Sequence, residues 1–279
     1  MVLSESQRFH FISGLPRSGS TLLAALLRQN PRFHAGMTSP VGSLFSSMLG
    51  QFSAGSEFGP TIDREQRQRL LQGLFRSYYG DQADKAVVFD TNRMWSAKLP
   101  ALLDLFPSSK VIACVRNVAW VMDSLERLYR ANPYENTRLF NDDAERNTVY
   151  SRVETLGQRN RLVGYAWSAL KEAYYGEQAG SLLIVDYDLL AQAPEKVLRL
   201  VYEFIEAPWF EHDFDNVSYD APEFDQALGL AGLHRVRPRV AAQNRRTILP
   251  PDLFEQYSSL SFWNDGAGSA AHVIRARPE

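Results

Sequence analysis

The sequence predicts a three-layer α/β fold: a central parallel sheet, helices on both faces, and a helical or irregular insertion. Three observations carry this. Residues 9–30 run from an apolar stretch rich in strand formers (Phe9, Phe11, Ile12), through a glycine-bearing turn, into a leucine-rich helix. Compact apolar runs recur at 87–90, 110–115 and 181–187, the second of them β-branched. Helical stretches separate them, and strands that alternate with helices specify a parallel sheet.

The first unit is the most informative. Its turn, residues 14–21, reads GLPRSGST, and Pro31 stops the helix that follows. Gly14 and Gly19 take the two glycine places of the phosphate loop G-x-x-x-x-G-K-[ST], and Thr21 takes the hydroxyl place. Backbone N–H groups of such a loop converge with the helix N-terminus on an anion. The lysine place, however, holds Ser20, so the loop is poorly suited to the β- and γ-phosphates of a triphosphate. The cation sits inside the loop as Arg17, whose planar fork matches a tetrahedral oxyanion. The fold expected is therefore of P-loop type. A plain βα turn with Arg17 in solvent is the alternative.

On these residues the stretch LPRSGSTLL (15–23) resembles the 5′-phosphosulfate loop of sulfotransferases that use 3′-phosphoadenosine-5′-phosphosulfate (PAPS). The likeness is to the branch of bacterial sulfotransferases and tyrosylprotein enzymes, whose loop reads P-R-S-G-[ST]-T. It implies that Pro16, Arg17, Ser18, Gly19, Ser20 and Thr21 hold the 5′-phosphosulfate, with Arg17 neutralising the moving sulfuryl group. A second match follows the run at 110–115: Arg116 stands at its C-terminal end and Ser124 eight residues later. Ligands of open α/β sheets bind outside the carboxyl ends of strands. The resemblance gives this R-x7-S pair to the nucleotide's 3′-phosphate, and a guanidinium with a hydroxyl suits a dianion. By itself, a strand-end arginine is commonly a member of a surface ion pair.

The catalytic base is where the chain departs from these relatives. The tyrosylprotein enzymes carry a glutamate shortly after the first helix, and counting from Arg17 that place falls on Thr38. His34 is close by and titrates in a useful range, although a lone histidine at a strand edge is more often structural. A lysine that relatives carry after the next strand is replaced by Thr91, with Arg93 two residues on as the substitute cation or as a surface turn residue. Further along, Tyr187-Asp188-Leu189 and the Pro-led helix at 194–204 loosely resemble the C-terminal part of the family, which places Tyr187 at the nucleotide. The basic cluster HRVRPR (234–239) and QNRR (243–246) resembles the loop that closes the cofactor site, with Arg237 and Arg239 as its contacts.

The remaining elements complete a single domain over residues 1–279. A helix is expected at 41–49 and a loop at 50–59; an amphipathic helix at 63–79 has Leu70, Leu71, Leu74 and Phe75 on its apolar side. Helices follow at 96–106, 120–129 (Trp120 and Leu125 as core), 160–175 and 250–257. Residues 130–158 are polar and poor in apolar periodicity, the candidate lid or insertion, and 234–246 form the basic C-terminal loop.

Composition narrows the class. The chain is 45% hydrophobic and 22% charged, ordinary for a globular protein. Thirty basic against 32 acidic residues give a formal charge of -2, so no bulk affinity for nucleic acid or membrane is expected. The one cysteine, Cys114, lies in an apolar run as a core residue and fits a reducing compartment. No signal-peptide core and no bilayer-length apolar stretch is visible, which makes the cytoplasm the expected location. Five histidines and one cysteine lack metal-ligand spacing. The expected function is metal-free, in-line sulfuryl transfer from PAPS to a hydroxyl or amine acceptor, leaving PAP. A P-loop nucleotide kinase is disfavoured by Ser20. A non-catalytic nucleotide- or RNA-binding protein is supported only by the missing base and the basic tail.

Overall fold

The computed structural model describes residues 7–132, 134, 136–227, 229–230, 232–241 and 245–275. Six strands, β1 (Arg8–Gly14), β2 (Phe33–Ala35), β3 (Val87–Thr91), β4 (Val111–Val115), β5 (Leu182–Asp186) and β6 (His272–Val273), form one sheet. Every pairing is parallel, in the order β2-β3-β1-β4-β5-β6. Side chains alternate across a strand, and here both faces are apolar. Phe9, Phe11, Val111, Ala113, Val115, Leu182 and Ile184 enter one core, while Ile12, Ile112, Cys114, Leu183 and Val185 enter a second. Strands buried on both faces read as continuous apolar runs, which is why the sequence announced them.

Helices cover both cores. α1 (Ser20–Leu27) follows β1, α2 (Val41–Phe52) and α3 (Arg64–Tyr78) lie between β2 and β3, and α4 (Leu99–Leu105) precedes β4. α5 (Val118–Ala131), α6 (Asp143–Arg146), α7 (Val149–Gly157) and α8 (Leu162–Tyr175) separate β4 from β5. After β5 come α9 (Tyr187–Gln192), α10 (Pro194–Phe204), α11 (Pro222–Ala227) and α12 (Pro251–Ser258). Residues of α2, α3, α4, α5, α7, α8 and α12 pack into the first core, and those of α1, α9 and α10 into the second. Phe11 is fully buried, with its ring 5.6 Å from Phe75 and 5.3 Å from Trp95. Burying one such side chain contributes about 1.5–3 kcal/mol.

Several sequence boundaries shift for visible reasons. In α3, Asp63 and Gln66 form a capping box, and Leu71 and Phe75 are buried; Leu70, assigned to the apolar side, is 47% exposed. The stretch expected as one helix at 96–106 begins as a 3-10 turn, Arg93–Lys98, capped by Asn92, and becomes α-helical only at Leu99. α2 runs one turn into the expected loop, because Phe52 finds a buried site. The polar segment at 130–158 is not a bare connection. Phe140, Val153 and Leu156 are buried, and Arg152 makes a two-point ion pair with buried Glu126 of α5 at 2.6 and 2.8 Å. Its i, i+4, i+7 spacing at Val149, Val153 and Leu156 is present but diluted by charge. β6 has no sequence signal; two residues cannot show a period.

The strand order fixes where a ligand can sit. From β1 the chain crosses to the edge of the sheet at β2, returns to β3 beside β1, then passes to the other side of β1 for β4, β5 and β6. The loops leaving β1 and β4 therefore part at a reversal of winding, where open α/β sheets leave a crevice.

Candidate active site

Two loops meet at that crevice. The first leaves β1 at Gly14, which lies opposite Cys114 of β4 at φ 107°; a Cβ there would stand 2.1 Å from the Cys114 carbonyl oxygen. Only glycine lets the loop turn this close to β4. Leu15 N–H donates to that same carbonyl at 2.9 Å. The Ser18 hydroxyl donates to it at 2.8 Å and to the Leu15 carbonyl, so Ser18 braces the loop from within and its hydroxyl is buried. Arg17 adopts a left-handed backbone, φ 59°, uncommon for a residue with a Cβ and a local strain of the kind functional loops retain. Gly19 is the N-cap of α1 at φ 91° and offers no side-chain cap, which leaves the first N–H groups of the helix for an anion.

The second loop leaves β4 at Arg116. Asn117 caps α5 by accepting the Ala119 N–H at 3.0 Å, and Ser124 lies on that helix, 8% exposed. The first loop touches that helix: Arg17 Nε donates to Ser124 Oγ at 3.1 Å. The Arg116 guanidinium lies over the Tyr187 ring at 4.5 Å and pairs with Asp188 at 3.3 Å. Arg116 is thus an ion-pair member, as the alternative reading had it, and also a wall of the crevice. Tyr187 in turn lies against Gly19, where an added Cβ would come within 2.7 Å of its ring.

The crevice has a volume of about 410 Å³. Pro16, Arg17, Gly19, Ser20 and Thr21 line it from the first loop, Arg116 and Ser124 from the second, and Tyr187 from the start of α9. Arg93 reaches it from the turn after β3, and Arg138 from the polar segment. His234, Arg235, Arg237 and Arg239 line it from the basic C-terminal loop, and Arg245 joins them, held by an ion pair to buried Asp123 at 2.8 Å. Gln243 and Asn244 of that cluster lie outside the described residues. Eight arginines line the crevice and, among the described lining residues, no aspartate or glutamate does. In a chain of net charge -2 this concentrates positive potential in one recess. Burial lowers the Arg17 pKa; Tyr187 and Asp225 oppose it, and the nearby Arg245 and Arg116 add to it. Arg93 remains reached by solvent, yet the protein around it also lowers its pKa. An anion relieves both.

The other sequence candidates fall elsewhere. His34 of β2 lines a second cavity of about 180 Å³, together with Thr38, Ser39, Tyr79, Gln82 and Thr91. Its pKa is lowered, chiefly by burial. Beneath this cavity lies Asp90, fully buried, accepting from Ser39 Oγ at 2.5 Å, Tyr79 Oη at 2.6 Å and Trp95 Nε1 at 2.7 Å. Burial raises its pKa. The structure does not bring His34 to Arg17 and Arg116. Cys114 is fully buried and its thiol is pushed up to about 12, a core residue as expected. Trp120, expected in the core, is half-buried beside the guanidinium groups of Arg116 and Arg245, at 5.9 and 5.5 Å. Sequence reasoning passed over Arg138 and Asp225, and it held Arg245 and His234 only as members of the basic cluster, without a contact of their own. The density of the basic cluster was the one available signal for Arg245 and His234.

A family model described as "Sulfotransferase family" matches residues 10–211. Protein-tyrosine sulfotransferase A of Caenorhabditis elegans is 23% identical over 72% of this chain and 50% of its own length. Protein-tyrosine sulfotransferase 1 of Danio rerio is 26% identical over 71% of this chain and 53% of its own. The chain spans about half the length of these curated relatives. Among solved structures, the sulfotransferase domain of the Synechococcus PCC 7002 olefin synthase aligns over 92% of this chain and 96% of that one, at 18% identity and TM-score 0.46. No helix among the described residues is long and apolar enough to cross a membrane. The family match extends from within β1, through both loops of the crevice, to beyond α10, and the chain belongs to the sulfotransferase family.

Proposed function

We propose that this chain transfers a sulfuryl group from PAPS to an acceptor hydroxyl or amine and releases PAP. The contact of Arg17 with Ser124 carries the reading: it joins two anion-binding stations inside one crevice lined by arginines. A nucleotide with anionic groups at both its 5′ and 3′ positions matches such a crevice. A triphosphate lacks the second group and meets Ser20 where it needs a lysine.

PAPS supplies the activated sulfuryl group; the protein supplies position and charge. The N–H groups at Gly19, Ser20 and Thr21 receive the 5′ end, and Arg116 with Ser124 receives the 3′-phosphate. Tyr187 backs Arg116, and Arg237 and Arg239 close the C-terminal side. Arg17 and Arg93 meet the charge that spreads over the moving group, a preorganised stabilisation. The single cysteine is buried, so the fold relies on no disulfide, which supports the reducing cytoplasm as its place of work.

The tyrosine sulfotransferases it resembles suggest tyrosyl peptides as the first acceptors to try, followed by simple phenols, alcohols and amines. With radiolabelled PAPS, label is expected to move to at least one acceptor with one PAP released per transfer. Binding of neither PAPS nor PAP would contradict the proposal.

A further inference from the structure

Thr38 leaves this chain without the glutamate base of its relatives, and His34 lies in a different cavity. The crevice offers another group. His234 lines it, and its Nδ1 lies 2.5 Å from Oδ1 of Asp225. The second oxygen of Asp225 accepts the His234 backbone N–H at 2.9 Å. Asp225, on α11, is fully buried, so it reaches no substrate itself; its two oxygens fix where the imidazole stands and how it is turned. An ionised carboxylate only accepts, so the proton between them belongs to Nδ1, and the Nε2 lone pair is left for the crevice. The Phe224 ring packs edge-on at 5.5 Å and limits ring rotation.

Three charged groups act on this imidazole: Asp225 from α11, Arg17 from the loop after β1, and Arg93 from the turn after β3. Burial lowers its pKa most, the two arginines lower it further, and Asp225 opposes them. The balance falls below the ordinary histidine value, so the group is a neutral proton acceptor at pH 7. The same two arginines are those placed at the moving sulfuryl group. Arg17 Nη1 donates to the carbonyl of Leu233, the residue before His234, so the imidazole and that arginine line the same part of the crevice.

We infer that His234 is the general base of the transfer, with Asp225 as its positioning residue; this rests on the sulfotransferase reading above. As the acceptor oxygen forms its bond to sulfur, its O–H bond breaks and Nε2 takes the proton. The S–O bond to the 5′-phosphate breaks in the same displacement, and its electron pair leaves on the phosphate oxygen of PAP. The imidazolium, held by Asp225, returns the proton to solvent.

The test uses the full chain, with PAP for binding and with radiolabelled PAPS transferred to water and to a tyrosyl peptide, whose hydroxyl is protonated at pH 7. His234→Gln is expected to lower transfer by about 10²–10⁴-fold, the usual range for general-base catalysis, and to remove the acidic limb of the pH–rate profile. Its PAP affinity should stay within about twofold, since a base touches the acceptor and not the nucleotide. Asp225→Asn should lower transfer as well and shift that limb. Imidazole NMR on the unmutated protein needs no variant to fold: His234 should hold its proton on Nδ1 and titrate below the ordinary value. Unchanged transfer with intact PAP binding, equal losses in transfer and PAP affinity, no His234-dependent transfer to either acceptor, or an Nε2–H tautomer would each overturn the assignment. Failure of the unmutated protein to bind PAP would instead overturn the sulfotransferase reading.

Discussion

Two cavities open beside the carboxyl ends of the same sheet, and they differ in charge far more than in location. The one between the β1 and β4 loops is lined by eight arginines; the one beside β2 and β3 has no arginine or lysine among its described lining residues. Each contains a histidine backed by a nearby buried aspartate, His234 with Asp225 and His34 with Asp90. In the first, the aspartate bonds the imidazole directly. In the second it is already satisfied by Ser39, Tyr79 and Trp95. The difference teaches that a buried carboxylate near a histidine is not yet a catalytic pair. What separates the two is which partners the carboxylate has, and whether the place where charge must be stabilised is at hand.

The comparison is broken most severely at Arg17. Arg17→Ala removes a cation aimed at the moving group, and loss of one such preorganised donor costs about 10²–10³-fold in turnover. PAP lacks the sulfuryl group, so its binding should suffer much less. Steady-state rates set against calorimetric PAP affinity check this; equal losses would remove the transition-state role.

Next comes Arg116. Losing a charge-assisted contact costs about 1.5–3 kcal/mol, so Arg116→Ala should weaken PAP by roughly ten- to a hundredfold. Adenosine 5′-phosphosulfate, which has no 3′-phosphate, should bind the variant and the parent alike. A loss shared by both nucleotides would place Arg116 in general support of the crevice through Tyr187 and Asp188.

Acid limits every such comparison. His10, buried in β1, accepts the Lys110 N–H through Nδ1 at 3.0 Å and has its pKa lowered to about 3, and His212 is lowered to about 4. Between those values and the unfolded value near 6.5, the unfolded chain binds protons that the native one refuses, so stability falls as pH drops below about 6.5. Each histidine contributes up to about 1.4 kcal/mol per pH unit across its window. Melting temperatures measured from pH 7.5 to 5 should decline below about 6.5; a flat profile would contradict the burial of both groups.

The smallest effect is expected at His34. His34→Gln should leave turnover within about twofold and the pH–rate profile in place, because its cavity lacks the arginines. Loss of a rate limb there would move the base to the second cavity and reverse the comparison.

Legibility followed the length scale of the signal. The strand–loop–helix unit at 9–30 could be read because glycines, arginine and periodicity all lie within 22 consecutive residues. The doubly buried strands could be read because their runs are unbroken. Arg116 with Ser124 needed only one strand end and one helix. Asp225 and His234 are joined by a loop that no period describes, and Arg138 enters from a segment whose apolar positions are diluted by charge. Leu70 was misplaced because a leucine on the edge of an apolar stripe faces solvent or core according to how the helix is rolled on its neighbours.

The central claim is that the crevice binds a nucleotide anionic at both ends, and competitive calorimetry tests it most directly. PAP titrated in the presence of a chelator should bind tightly, and ATP with magnesium should compete only weakly, because Ser20 supplies no charge for a triphosphate and Arg116 with Ser124 finds no 3′-phosphate on it. ATP with magnesium displacing PAP on equal terms would contradict the account.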